Sequence, residues 1–208
     1  MLVGFAGSMT SRKTEHRERG ATLVESAIVF GLLFLTLFAV VEFGLAFKDW
    51  LSVSHGSREG ARAGATFGQD PAADILILRE VEGVMSPIGF PAGSDVRIYN
   101  ASPAGVWSGV GTTYSYAPGT GCGSTVTPAL PGCCDWTPCP EPGRPTYDPG
   151  LAPAWPTSQR IVEAPDTDRL GVEVTYHHVW VTQFFADTSD FTTSTEFQLE
   201  PEVFGAET

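Results

Sequence analysis

The stretch from Ala21 to Phe47 limits the choice of fold more than any other part of this chain. A helix needs roughly 20 residues, at about 1.5 Å each, to cross a hydrocarbon core of about 30 Å, and this run is longer than that and almost wholly apolar. Its only charges are Glu25 and Glu42. On a continuous helix they stand roughly 25 Å apart, so each falls near one face of a bilayer and the centre is left uncharged. Arg12, Lys13, Arg17 and Arg19 precede the run, whereas Lys48, Arg58 and Arg62 follow it more sparsely, beside Asp49 and Glu59. The positive-inside rule then predicts a single-pass membrane protein with a cytoplasmic N-terminus and an extracytoplasmic remainder.

Residues 1–20 read as a basic cytoplasmic leader and 21–47 as the transmembrane helix. Met1 to Ser8 are apolar and glycine-rich, which fits poorly ahead of such a leader; Met9 suits a start better, and both remain open. Residues 48–69 are expected to continue the helix beyond the membrane, through Trp50, Leu51 and Val53. Here Gly56, Gly60 and Gly64 recur every four residues, shadowed by Ser57, Ala61 and Ala65. Glycine inside a helix costs about 1 kcal/mol relative to alanine, so a line of them calls for close approach by another helix or a sheet. Arg58 and Arg62 share a face, with Glu59 within reach of Arg62; a solvated charged face beside a glycine-weakened helix end is the plainer alternative.

Gly20 with Glu25 at the mouth of the apolar helix, followed by Ser57-Arg58-Glu59-Gly60-Ala61-Arg62-Ala63-Gly64-Ala65, resembles the TadE-like pseudopilins of the tight-adherence (Tad/Flp) pilus system. The likeness covers about Arg17 to Thr66. It implies a type IV pilin-like signal, cleaved between Gly20 and Ala21 by a membrane aspartyl prepilin peptidase. It also implies a minor or assembly role among other pilins, pseudopilins and inner-membrane pilus proteins. Two departures count against a main fibre subunit: Ser26 stands where Flp pilins usually carry an aromatic residue, and the exported part is far larger than theirs. A carboxylate carried to the bilayer centre costs about 2.5–3.5 kcal/mol, so Glu25 calls for a partner. The resemblance supplies one, the new α-amino group of Ala21 on a neighbouring subunit; an interfacial glutamate that snorkels or protonates is the alternative.

Beyond residue 69 an α+β domain is expected, built from 70–100 and 169–208. Asp70-Pro71 and Ser86-Pro87 bound an amphipathic helix whose apolar stripe is Ile77, Leu78, Val81, Val84 and Met85. Strands are read at Asp95 to Asn100, Leu170 to Thr182 and Phe191 to Leu199, the last two as a hairpin, giving a small antiparallel sheet against the long helix. Between them, 101–168 reads as an irregular insertion rich in glycine, proline, serine and threonine. It holds all four cysteines, Cys122, Cys133, Cys134 and Cys139, on the side where oxidation is permitted. Two disulfides are expected, either 122–133 with 134–139 or 122–134 with 133–139, since neighbouring cysteines pair only with strain. Zinc is the rival, disfavoured because the spacing lacks a CxxC pair and no histidine lies near. The aromatic residues Trp107, Tyr114, Tyr116, Trp136, Tyr147 and Trp155 suit either a recognition surface or the insertion's own small core.

The net charge of −12 disfavours nucleic acid and anionic lipid as partners. No GxSxG, HExxH or phosphate-binding loop occurs, and His177 and His178 point to opposite faces of a strand, so neither an enzyme nor a metal or other cofactor is expected. Two further readings stay open: a secreted binding domain cut after Gly44-Leu45-Ala46, and a permanently anchored, uncleaved protein whose insertion binds an external partner.

Overall fold

The computed structural model describes residues 12–117, 135–137, 154–163, 165–183 and 186–200, the first eight of these by backbone alone. The chain forms two compact units, Met1–Leu45 and Ala46–Thr208. The helix α1 (Arg12–Phe67) supplies the described part of the first unit and the first element of the second. The cysteines and the choice between Met1 and Met9 lie outside the described residues.

The second unit is an α+β domain. After α1 come α2 (Ala73–Met85), β1 (Asp95–Ala101), β2 (Trp107–Tyr116), β3 (Trp136–Thr137), β4 (Arg169–Val179) and β5 (Thr188–Gln198). The strands make one antiparallel sheet in the order β3-β2-β1-β4-β5. Helix α1 ends where Gly68 takes φ +48 and donates its N–H to the Gly64 carbonyl at 3.1 Å, a left-handed cap. Asp70 does not cap α2 as its position suggests. Its Oδ1 accepts from Ala72 N–H at 2.7 Å and closes the preceding turn, so the helix begins at Ala73.

The core lies between the helices and one face of the sheet. From α2 come Ile77, Leu78, Val81 and Met85, from β1 Val96 and Ile98, and from β4 Leu170, Val172 and Val174. These positions follow the two periodicities of the sequence, the 3.6-residue stripe of α2 and the alternation along β4. The insertion read as irregular from residue 101 in fact contributes two strands. β2 was hidden because its first half is exposed and its ladder with β1 shifts register beside Gly109, at φ +91, which breaks the alternation.

Candidate functional site

The described part of the first unit is helix, and most of its side chains from Gly20 onward are exposed. Gly20, Ala21 and Glu25 lie within α1 and are exposed, and a Cβ placed on Gly20 would meet nothing within 4 Å. The large apolar side chains that follow, Leu23 through Val41, are themselves exposed. Glu42 differs from Glu25: it is buried, with 2% of its surface exposed. Gly20–Phe67 is the one described helix long and apolar enough to cross a membrane, with a mean hydropathy of 2.5 in its most apolar window.

In the second unit the glycine stripe is used inside the chain. A Cβ on Gly56 would stand 3.2 Å from Met85 Cγ, one on Gly60 would stand 2.7 Å from Val81 Cγ2, and one on Gly64 would stand 2.5 Å from Leu170 Cδ2. Absent side chains thus let α1 approach α2 and β4 closely. The shadow stripe is occupied as well: Ser57 and Ala61 are buried, and Ser57 Oγ lies 3.0 Å from Thr195 Oγ1 of β5. These glycines hold the domain to its helix, so this stripe is occupied within the chain. Arg58, Glu59 and Arg62 lie on the exposed side of α1, and Glu59 and Arg62 form no ion pair with each other. Both border a shallow depression of about 210 Å³ shared with Phe67 and with Glu80 of α2.

Sequence reasoning missed a buried polar cluster. The Arg160 guanidinium, wholly enclosed, donates from Nη2 to Asp74 Oδ1 and from Nη1 to the Gly68 carbonyl at 3.4 Å, with its plane over the Trp155 ring at 4.8 Å. Tyr114 Oη donates to the other Asp74 oxygen at 2.5 Å, and burial, with the Asp74 charge second, pushes its phenol well above the ordinary range. The Gln69 side-chain amide donates to the Arg160 carbonyl. One cluster therefore joins the end of α1, the start of α2, β2 and the segment 154–163. A signal was present: Asp74 sits on the same helical stripe as Ile77, Leu78 and Val81, where a carboxylate needs a partner.

The two histidines of β4 do face opposite sides. His178 is buried, with Nδ1 2.8 Å from Asp49 Oδ2 of α1, and packs on Trp180 and Phe191. His177 faces outward between two acceptors, Asp190 Oδ1 at 2.5 Å from Nδ1 and the Gly93 carbonyl at 2.8 Å from Nε2. Both ring nitrogens can donate only in the imidazolium, and the Asp190 bond in particular raises its pKa from 6.5.

Most of the described aromatic residues of the insertion belong to the domain. Tyr114, Trp136 and Trp155 are buried in the main core, and Tyr116 and Trp136 pack with Phe90. Trp136 Nε1 donates to Glu82 at 2.9 Å, although burial still raises that carboxyl. Trp107 is exposed beneath the Arg97 guanidinium, and Tyr147 lies outside the described residues. Among the described residues no three His, Cys, Asp or Glu side chains are placed to hold a metal ion.

These features define a class: an α+β domain carried on a helix whose upstream part is apolar enough to span a membrane. Within that class, residues 20–62 match the family model of the TadE-like proteins, from the expected processing glycine to the second exposed arginine. The resemblance read from Gly20, Glu25 and the small-residue run is therefore met by an independent match, which supports a pseudopilin-like role associated with a tight-adherence pilus. Residues 63–208 lie outside it. No curated protein and no solved structure matches the chain.

Proposed function

We propose that this chain is a membrane-anchored minor pseudopilin that acts, without catalysis, in assembling a tight-adherence pilus or a related secretion apparatus. The observation that carries the reading is Gly20 and Glu25 at the head of an exposed apolar helix, inside the segment that matches the TadE-like family. Prepilin peptidase is the processing partner. Cleavage after Gly20 requires a local unwinding of α1, which glycine's poor helix propensity favours. The freed Ala21 amine then pairs with Glu25 of a neighbouring pilin or pseudopilin; at 4 Å and an effective dielectric near 20 such a pair attracts by about 4 kcal/mol. With the domain's glycine stripe occupied within the chain, the apolar surface upstream of Leu45 is the helix face left for neighbouring pilin helices.

Intact mass and N-terminal sequencing of protein from membrane, pilus and culture-fluid fractions, with and without the peptidase, tests this. A peptidase-dependent terminus at Ala21 is expected, with Glu25→Gln leaving cleavage intact and reducing pilus assembly. A second reading, a secreted binding domain, has one observation in its favour: the second compact unit begins at Ala46, beside the Gly44-Leu45-Ala46 cleavage pattern. A terminus at Phe47 would replace the pseudopilin reading with that one, and an untrimmed chain confined to membranes would favour the permanently anchored alternative.

A further inference from the structure

The end of the second unit at which the chain enters it collects three pieces of backbone. Residues 47–51 of α1 are there, and Lys48 Nζ reaches the Pro87 carbonyl at 3.4 Å, which places the loop after α2 beside them. The His178–Asp49 contact places the far end of β4 there as well, and with it the described ends, 180–183 and 186–187, of the connection from β4 to β5. That connection closes through Trp180 N–H to the Asp187 carbonyl at 3.2 Å.

Four large apolar side chains are exposed at this end, among polar ones such as Lys48, Thr182 and Gln183. Val179 is 58% and Val181 72% exposed on the hairpin, while Phe47 is 59% and Trp50 44% exposed on α1, their rings stacked with centroids 5.8 Å apart. The sequence holds no charged residue from Val179 to Ala186. The charges nearby are already engaged: Asp49 with His178, Lys48 with Pro87, and His177 with Asp190; the run is bounded by Asp187. Tryptophan beside a lysine at the end of an apolar span is a common arrangement at a membrane interface, with the ring at headgroup depth and the ammonium reaching toward water.

We infer that the β4–β5 hairpin is a second membrane contact: Val179 and Val181 enter the interfacial layer of a bilayer beside Phe47 and Trp50. The inference rests on the reading of 21–47 as a membrane span, and the two together give the domain a two-point attachment. The occupant is lipid rather than protein because the end of β4 is held to Asp49, two residues beyond Phe47 where the expected span ends, so a bilayer entered by that span is the nearest apolar phase along the chain. The attraction is apolar, since the chain's net charge of −12 offers nothing to anionic headgroups.

The test uses the full chain in vesicles of phosphatidylethanolamine and phosphatidylglycerol carrying a trace of alkyne-tagged phospholipid. The photoreactive p-benzoylphenylalanine replaces Val179, Val181, Leu35 or Val106 in turn. Leu35 reports the span. Val106 is an equally exposed valine beyond Ala101, at the opposite end of the sheet. Tagged-lipid adducts are expected at Leu35, Val179 and Val181 and not at Val106, and they should persist when phosphatidylglycerol is omitted. With the probe at Val179, Val181→Glu should lower the lipid adduct about tenfold, since a carboxylate resists transfer from water into the bilayer; an unchanged melting curve shows the domain intact. Labelling at Leu35 with none at 179 or 181 would overturn the hairpin contact alone, as would a chain-to-chain adduct in place of lipid, which would assign the patch to a second copy. Failure at Leu35 as well would overturn the membrane reading and this inference with it.

Discussion

The two stretches of α1 solve opposite problems with one backbone. Upstream of Ala46 no side chain of the described chain sits over a glycine: a Cβ on Gly31 or Gly44 would meet nothing within 4 Å, and large apolar side chains cover the surface. Downstream the glycines are seats for other side chains, with Val81, Met85, Val172 and Leu170 occupying the space a Cβ would take. A helix that gives its apolar surface to the membrane wants bulk and hydropathy. One that carries a domain wants gaps that fit that domain. The same residue type at the same spacing therefore means different things on either side of Ala46, and its neighbours in space tell which.

The sharpest way to break the contrast is to strip the domain of the charge that closes its helix end. Arg160→Ala leaves the Asp74 carboxylate enclosed without its cation, and denaturant unfolding of the full chain in detergent should show a loss of about 3–5 kcal/mol. Next is Gly64→Ala, whose methyl group would press on Leu170 and Ile77; the added packing strain, about 1–3 kcal/mol, exceeds the gain in helix propensity. Gly31→Ala should leave the same unfolding midpoint unmoved, and equal effects at the two positions would erase the distinction. Gly56→Ala refines it. The atoms it meets belong to flexible Met85, so a change below about 1 kcal/mol is expected in the same measurement.

The smallest effect concerns pH. Because the folded chain raises the His177 pKa above 6.5, its contact with Asp190 stabilises fully below that value and fades as pH rises through the folded pKa. Melting temperatures recorded across that interval should converge with those of His177→Gln at the alkaline end. The difference will be slight, since both side chains are more than one third exposed.

Where a residue's neighbours were set by its own element, the sequence was readable. The apolar run, the glycine spacing, the stripe of α2 and the alternation of Val172, Val174 and Tyr176 each report a local period, and the helices and β1, β4 and β5 follow. Partners brought from far along the chain were not. Nothing near Arg160 in sequence names Asp74, and nothing near Trp155 says that it covers a guanidinium rather than a ligand. β2 escaped because Gly109, Gly111 and a run of serine and threonine look like a loop until β1 pairs with them. Gly20 and Glu25 stand out in the sequence by their spacing and by the boundary between charged and apolar residues, and the family match begins at Gly20.

The seating of side chains in the glycine gaps also has a mechanical meaning. A tug along the axis of α1 is opposed because Met85, Val81 and Leu170 sit over Gly56, Gly60 and Gly64 in successive notches, like teeth in a rack. Sliding by part of a turn would drive those teeth against the side chains between the glycines, well before the next notch, about one turn away, came under them. Load entering through the helix is thereby shared at once with α2 and the middle of the sheet, and resisted in shear by many contacts instead of being peeled one contact at a time from the edge.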